Sequence, residues 1–140
     1  MREDYMIKIA GIQQQDGEES KISLTTKGSF VQRGNSFFIT YNETETTGFK
    51  DCVTTVKVTG PNKISMLRYG PAPSQLVVER GQRHVCHYET GYGAVSLGVS
   101  ADEISTNLTE KGGEVHFSYL LDMNTNSISR NIVNITVKPI

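Results

Sequence analysis

The sequence of 140 residues has no tryptophan, only two cysteines and no excess of charge of either sign. Its formal net charge of −1 differs from the strongly positive surface of proteins that bind nucleic acid or anionic membranes, so we expect neither as a partner. The apolar runs are far too short to span a bilayer. The first residues, MREDYMIKIAGIQQQ, lack the apolar block of a signal peptide. We therefore expect a soluble, cytoplasmic protein.

The sequence also contains none of the short patterns that mark common enzymes. Gly-x-Ser-x-Gly, phosphate-binding glycine loops and His-Glu-x-x-His are all missing. Cys52 and Cys86 are too few for a disulfide framework, and in a cytoplasm we expect free thiols. His84 and Cys86 share one face of a strand, but two ligands do not make a zinc site, and we favour a buried thiol and a solvent-facing imidazole. We predict no metal, no cofactor and no catalytic residue.

What the sequence does have is alternation of apolar and polar residues from end to end, which is typical of β-strands. No window of helix length carries a sustained apolar stripe. The pattern predicts one domain over residues 1–140, built of about eight to ten antiparallel strands joined by short hairpins. Gly28 inside the second strand predicts a bend or bulge. Ser100 to Glu103, between two runs of strand, predicts a bulge or at most one helical turn.

A meander of hairpins has two exposed edges, and closing the sheet into a barrel removes them. The first strand, Tyr5 to Ile12, and the last, around Ile132 to Val137, have similar lengths. We predict that these two strands pair and close an all-β, up-and-down barrel, with an open sandwich as the alternative. A barrel of about eight strands is either filled by its own side chains or holds one small ligand.

Four patches of the sequence carry a family resemblance. They are Tyr41–Thr44 followed by Thr47-Gly48, then Arg68–Gly70, then Ser74–Gly81 running into Arg83-His84 and Tyr88–Thr90, and lastly Ser129–Asn131. Together they resemble the YwiB-like family of bacterial calycin-type (lipocalin-like) β-barrels, a domain of unknown function. The similarity extends over nearly the whole chain and implies a closed barrel, but no activity, substrate or catalytic residue. Gly91 departs from the family, which more often has proline there.

Two opposite charges are the most informative candidates for a site. Glu43 has the same strand parity as Tyr41 in the inward row of its strand, and Arg68 has the parity of Met66. Both charges could therefore point into the barrel, where they would need a partner or an anionic ligand. We favour the alternative, an ion pair at the rim, because both residues lie at strand ends, where side chains reach water.

The tyrosines and a basic cluster complete the candidates. Tyrosines in a barrel fill its interior or orient a ligand, and we favour filling. The basic cluster of Arg80, Arg83, His84 and His87 could hold a phosphate, but it lacks the aromatic platforms of a nucleic-acid site. The residues that we predict as ligand contacts are Tyr41, Glu43, Arg68, Tyr88, Thr90 and Tyr119.

Three functions stay open at this point. We favour a small binding barrel that holds an apolar or amphipathic molecule, with Glu43, Arg68 and Tyr88 as polar contacts at its mouth. The second is a ligandless structural or protein-interaction module, packed shut inside and making contacts through exposed strands or the Pro71–Ser74 loop. An enzyme of unknown reaction is the weakest. A ligand-sized void inside the barrel would distinguish the first function from the second.

Overall fold

The computed structural model describes residues 3–89 and 94–140. Within them the chain forms ten strands and one short 3-10 turn, as the alternation predicted. The strands are β1 (Tyr5–Gln15), β2 (Glu18–Arg33), β3 (Ser36–Asn42), β4 (Val53–Thr59), β5 (Lys63–Tyr69), β6 (Ser74–Glu79), β7 (Arg83–Glu89), β8 (Ala94–Thr109), β9 (Gly112–Met123) and β10 (Asn126–Pro139), and the 3-10 turn is Glu45–Thr47. Gly91, where the sequence departs from the family pattern, lies outside the described residues. No helix within the described residues is long and apolar enough to cross a membrane.

All ten strands belong to one antiparallel sheet, in the order β6-β5-β4-β3-β2-β1-β10-β9-β8-β7. The first and last strands pair without a register shift, from Tyr5 opposite Pro139 to Gln14 opposite Arg130. The predicted pairing of the chain ends is therefore confirmed. It joins a six-stranded meander, β1–β6, to a four-stranded one, β7–β10, in one strongly curled sheet, a nearly closed barrel.

The gap in this barrel lies at a hairpin rather than at the chain ends. β6 and β7 are the two edges of the sheet, although they follow each other in sequence. The backbone N–H of Val77 in β6 donates to Cys86 Sγ in β7 at 3.3 Å. His84 Nε2 lies 2.9 Å from Glu79 Oε1, so its imidazole faces a carboxylate across the gap and is not simply solvent-facing as predicted. Contacts that involve side chains thus connect β6 and β7, whereas backbone hydrogen bonds connect the other neighbouring strands of the sheet.

Two bulges interrupt the ladders. One lies in β8 between Ala101 and Glu103, where the sequence predicted it, and the other in β10 between Ser127 and Ser129. The two runs expected on either side of the first bulge form one long strand that continues through it. A bulge increases the local twist, which helps a long strand curl around a barrel.

Gly28 does not mark a bulge, which was one of the two features expected from its position in β2. The residue pairs with Tyr5 of β1 and Tyr41 of β3, and the register shifts in neither ladder. A Cβ atom on Gly28 would lie 2.4 Å from Ile7 Cδ1 and 2.4 Å from the Thr40 carbonyl oxygen. Glycine is therefore required here because a core side chain and the neighbouring backbone both approach it closely.

Apolar side chains fill one end of the barrel. Phe30 stacks on Phe37 at 5.6 Å between ring centroids, and the edge of Tyr5 meets Phe30 at 5.3 Å. The fully buried side chains around them are Ile7, Ile39, Val56, Val58, Ile64 and Val78. Burying one such aliphatic side chain contributes about 1.5–3 kcal/mol, so this end carries much of the stability of the fold.

Candidate functional site

Five neighbouring strands contribute one inward row of residues, in which polar side chains replace apolar ones. Gly28, Tyr41, Thr54, Arg68 and Ser74 are paired in succession across β2, β3, β4, β5 and β6. Directly opposed residues of antiparallel strands point to the same face of the sheet. The alternation that turns Tyr41 inward therefore turns Thr54 and Arg68 inward beside it.

Next to this row the barrel contains a cavity of about 480 Å³. Pockets that bind small molecules measure roughly 300–1,000 Å³, and they are mostly apolar with a few placed polar groups. Apolar side chains form much of this wall. They include Ile9, Leu24, Met66, Leu76 and Val133. The interior is thus filled at one end and open at the other.

Glu43 sits at the edge of the polar row, just beyond β3. Its backbone N–H donates to the carbonyl oxygen of Cys52 at 2.9 Å, which extends the β3–β4 pairing by one step. Its side chain lines the cavity, and Oε1 accepts a hydrogen bond of 2.8 Å from Thr54 Oγ1. The other oxygen, Oε2, is buried and has no hydrogen-bond partner among the described residues. One acceptor of this carboxylate is therefore satisfied by the protein and one is not.

Arg68 is half-buried in the same wall. Its Nε donates to the carbonyl oxygen of Ala72 at 2.7 Å, and its guanidinium lies 3.5 Å from the centroid of the Phe49 ring. Its Nη2 atom is buried, as is Glu43 Oε2. The rim interpretation that we favoured is therefore wrong, because charged atoms of both side chains lie inside the barrel. Phe49 belongs to the β3–β4 connection, which brings this loop against the polar row.

The hydroxyl of Tyr41 belongs to the same group. Burial raises the pKa of the Tyr41 phenol far above its ordinary value, and the negative charge of Glu43 and a hydrogen bond with it raise the pKa further. Tyr41 consequently keeps its proton over the whole physiological range and serves as a hydrogen-bond donor. The site combines two hydroxyls, a carboxylate and a guanidinium at one end of an apolar cavity.

Comparison with known proteins gives the family of this chain. The family described as domain of unknown function, DUF1934, matches residues 7–135. The chain belongs to this family. It is 21% identical over 131 residues to the uncharacterized beta-barrel protein YwiB of Bacillus subtilis (strain 168), covering 94% of this chain and 89% of that protein. The crystal structure of ywiB protein from Bacillus subtilis matches with a TM-score of 0.83 at 19% identity, over 96% of this chain and 90% of that one. The resemblance and the β-barrel fold are confirmed.

Four of the six predicted ligand contacts line the cavity of this DUF1934 protein. They are Tyr41, Glu43, Arg68 and Tyr119. The backbone of Tyr88 pairs with Val95, but its side chain and the whole of Thr90 lie outside the part of the chain that the structure describes. Tyr119 lines the cavity from β9, which β2, β1 and β10 separate from β3 in the sheet, and its ring stacks on Phe117.

Thr54 and Phe49 are two of the lining residues that were not singled out from the sequence. Thr54 was visible as the hydroxyl at an inward position in phase with Val56 and Val58, and that signal could have identified it. Phe49 lies in the β3–β4 connection, where no periodicity indicates which way a side chain points. Its place over Arg68 depends on the path of the loop.

The basic cluster does not converge on a common point. Its four members contact five different partners. Arg80 donates to Asn62 Oδ1 and to the Ile104 carbonyl, Arg83 to Asp122, His84 faces Glu79, and His87 faces Ser96. Intramolecular contacts therefore engage the cationic groups that could have held a phosphate.

Proposed function

We propose that this DUF1934 barrel binds a small amphipathic molecule inside its open end. The observation that supports this is the cavity of about 480 Å³ in the interior. Protein interiors are close-packed, with few voids larger than a water molecule, so an apolar-lined volume of this size within a barrel is unusual. A site that keeps such a volume is better explained by an occupant than by imperfect packing.

The arrangement of the wall supports an amphipathic rather than a purely apolar occupant. Ile9, Leu24 and Val133 offer apolar surface, whose burial contributes about 25 cal/mol per Å². The polar group around Tyr41 and Glu43 would fix the orientation of the ligand, as the few polar groups of small-molecule pockets do. We keep this function ahead of the ligandless module because that module requires an interior that is packed shut.

We also propose a cytoplasmic location. Cys52 and Cys86 are both buried and unbridged, which a reducing compartment maintains. Cell fractionation of the native host with an antibody against this chain would test it, and recovery outside the cytoplasmic fraction would overturn it.

A matched pair of leucine substitutions tests the binding proposal. Leu24 lines the cavity, whereas Leu120 is 40% exposed on the outer face of β9. Leu24→Trp should fill the volume and weaken binding of the apolar dye Nile red by at least about tenfold, or ~1.4 kcal/mol. Leu120→Trp adds the same ring outside the barrel and should leave binding unchanged.

Fluorescence titration gives the affinity, and native mass spectrometry of protein purified from its own host gives an independent measurement. We expect one dye per wild-type chain and an added mass on the protein from the host. Failure of the wild type to bind the dye saturably, or equal binding by both variants, would remove the proposal.

A further inference from the structure

We infer that the polar end of the ligand is a hydrogen-bond donor, best a primary ammonium, that binds the Glu43 carboxylate; this inference rests on the function proposed above. Oε1 of Glu43 is engaged by Thr54, while Oε2 is buried without a partner in the described part of the chain. An ionised carboxylate only accepts hydrogen bonds, and buried polar atoms in native proteins nearly always have a partner. A donor on the ligand would supply the one that is missing.

The carboxylate is held ready for this contact. The backbone of Glu43 is fixed by the hydrogen bond to the Cys52 carbonyl, and Thr54 holds one carboxylate oxygen. Tyr41 lies against the same group and adds a second hydroxyl. Because these contacts already fix the carboxylate, little conformational freedom is lost when a ligand arrives. Apolar surroundings strengthen a charge-assisted hydrogen bond, which is roughly twice as strong as one between neutral groups.

The alternative is a ligand with an anionic end, which would bind the positive charge of Arg68. The guanidinium already donates from Nε to the Ala72 carbonyl, and the Phe49 ring covers one of its faces. An anion placed in this row would also meet the negative charge of Glu43 at short range. An ammonium would meet the positive charge of Arg68, but that guanidinium is engaged by the Ala72 carbonyl and the Phe49 ring, whereas Glu43 Oε2 has no partner among the described residues. The geometry therefore favours the cation.

A series of head groups on one alkyl chain tests the choice. Decylamine, which is protonated at neutral pH, decanol and decanoate are each used to displace Nile red from the wild-type protein. We expect decylammonium to bind most tightly, decanol less tightly and decanoate least, with about tenfold or more between the first and the last. Equal affinities, or tightest binding by decanoate, would overturn the inference.

Two conservative substitutions locate the contact. Glu43→Gln keeps the size of the side chain and removes its charge, and should weaken decylammonium about tenfold while leaving decanol within about threefold. Glu45→Gln is the matched control, since Glu45 belongs to the same loop but its side chain is 80% exposed beside Lys50. This variant should bind all three compounds as the wild type does.

The outcomes distinguish failure of this inference from failure of the proposal that the cavity binds a ligand. An unchanged affinity of Glu43→Gln for decylammonium refutes the role of Glu43 but leaves the cavity as a binding site. Failure of Nile red and all three decyl compounds to bind the wild type refutes both. If Glu43→Gln does not fold by circular dichroism, the series on the wild type decides the question by itself.

Discussion

Two ends of one barrel, built on the same four strands, have opposite character. At the packed end, Phe37, Val58, Ile64 and Val78 form one inward row across β3, β4, β5 and β6. At the open end, Tyr41, Thr54, Arg68 and Ser74 form another row across those strands, in the same order. The rows lie four residues apart on each strand, a separation of about 13 Å at ~3.3 Å per residue.

The comparison shows that strand pairing and site chemistry are specified separately. Both rows follow the same alternation and lie in continuous ladders, so their backbone pairing is the same. What differs is the side chain at each inward position. The apolar row closes one end and stabilises the fold, which allows the other end to keep a cavity and the less favourable burial of polar atoms.

The largest expected effect comes from making the same substitution, Ile→Ala, at the packed end and at the open end. Ile39 is fully buried between Phe30 and Val56, whereas Ile9 lines the cavity. Ile39→Ala should lower the free energy of unfolding by about 2–5 kcal/mol, because it opens a new enclosed void. Ile9→Ala enlarges an existing void and should cost about half as much. Urea denaturation measures both, and equal losses would mean that the open end is as well packed as the other.

A second pair of variants compares an inward charge with an outward one. Arg68→Met removes the hydrogen bond from Arg68 Nε to the Ala72 carbonyl and a positive charge from the cavity wall that Glu43 also lines. It should lower the free energy of unfolding by about 1.5–3 kcal/mol. Arg83→Met breaks the exposed pair with Asp122 and should have a smaller effect.

Both variants of this pair are measured by urea denaturation at low and high salt. Salt should reduce the effect of Arg83→Met more than that of Arg68→Met, since exposed charges are screened and buried ones are not. A larger loss from Arg83→Met would contradict the placement of the stronger interaction inside the barrel.

Alkaline pH separates the buried tyrosine from an exposed one. The folded protein raises the pKa of Tyr41 above its unfolded value, so the folded state keeps this proton when the unfolded state loses it. The stabilisation is complete below about pH 10 and declines as pH rises above that value, by up to ~1.4 kcal/mol per pH unit. Tyr41→Phe should remove this decline, and Tyr69→Phe, at a residue that is 57% exposed, should not. The free energy of unfolding between about pH 8 and 11 gives the comparison; parallel curves for wild type and Tyr41→Phe would refute it.

Much of the fold and part of the site could be predicted because both depend on the two-residue period. The period identified the strands, and the similar lengths of Tyr5 to Ile12 and Ile132 to Val137 identified the pairing of the first strand with the last. It also gave the correct face for Tyr41, Glu43 and Arg68. An inward parity is a local property of a strand, so a sequence carries it directly.

The remaining features depend on distances between segments that parity does not encode. Sequence alone does not show that the β6–β7 hairpin lacks a ladder, since each strand has an ordinary pattern. The depth of Arg68 depends on the β3–β4 loop that lays Phe49 against it. Strand ends are exposed unless a loop folds over them, which explains why we wrongly favoured a rim ion pair.

The smallest expected effect concerns a charged pair on the outside of the barrel. Asp102, in the β8 bulge, accepts hydrogen bonds from Arg130 Nη2 at 2.9 Å and Ser118 Oγ at 3.0 Å. Arg130, and then Ser118, hold the pKa of Asp102 below its ordinary value. The carboxylate therefore stabilises the fold above the unfolded pKa of about 3.9, and this contribution is lost as pH falls through the folded pKa.

Asp102→Asn should lower the free energy of unfolding at neutral pH by no more than about 1 kcal/mol, because the Asp102 and Arg130 side chains are both more than a third exposed and solvent screens their charges. The difference from wild type should shrink below about pH 4 and in high salt. Thermal unfolding at pH 7 and near pH 3 measures it. A difference that persists unchanged in acid would assign the loss to the shape of the bulge and its bond to Ser118. The outer charge would then contribute nothing, and its contrast with the charged groups inside the barrel would be greater.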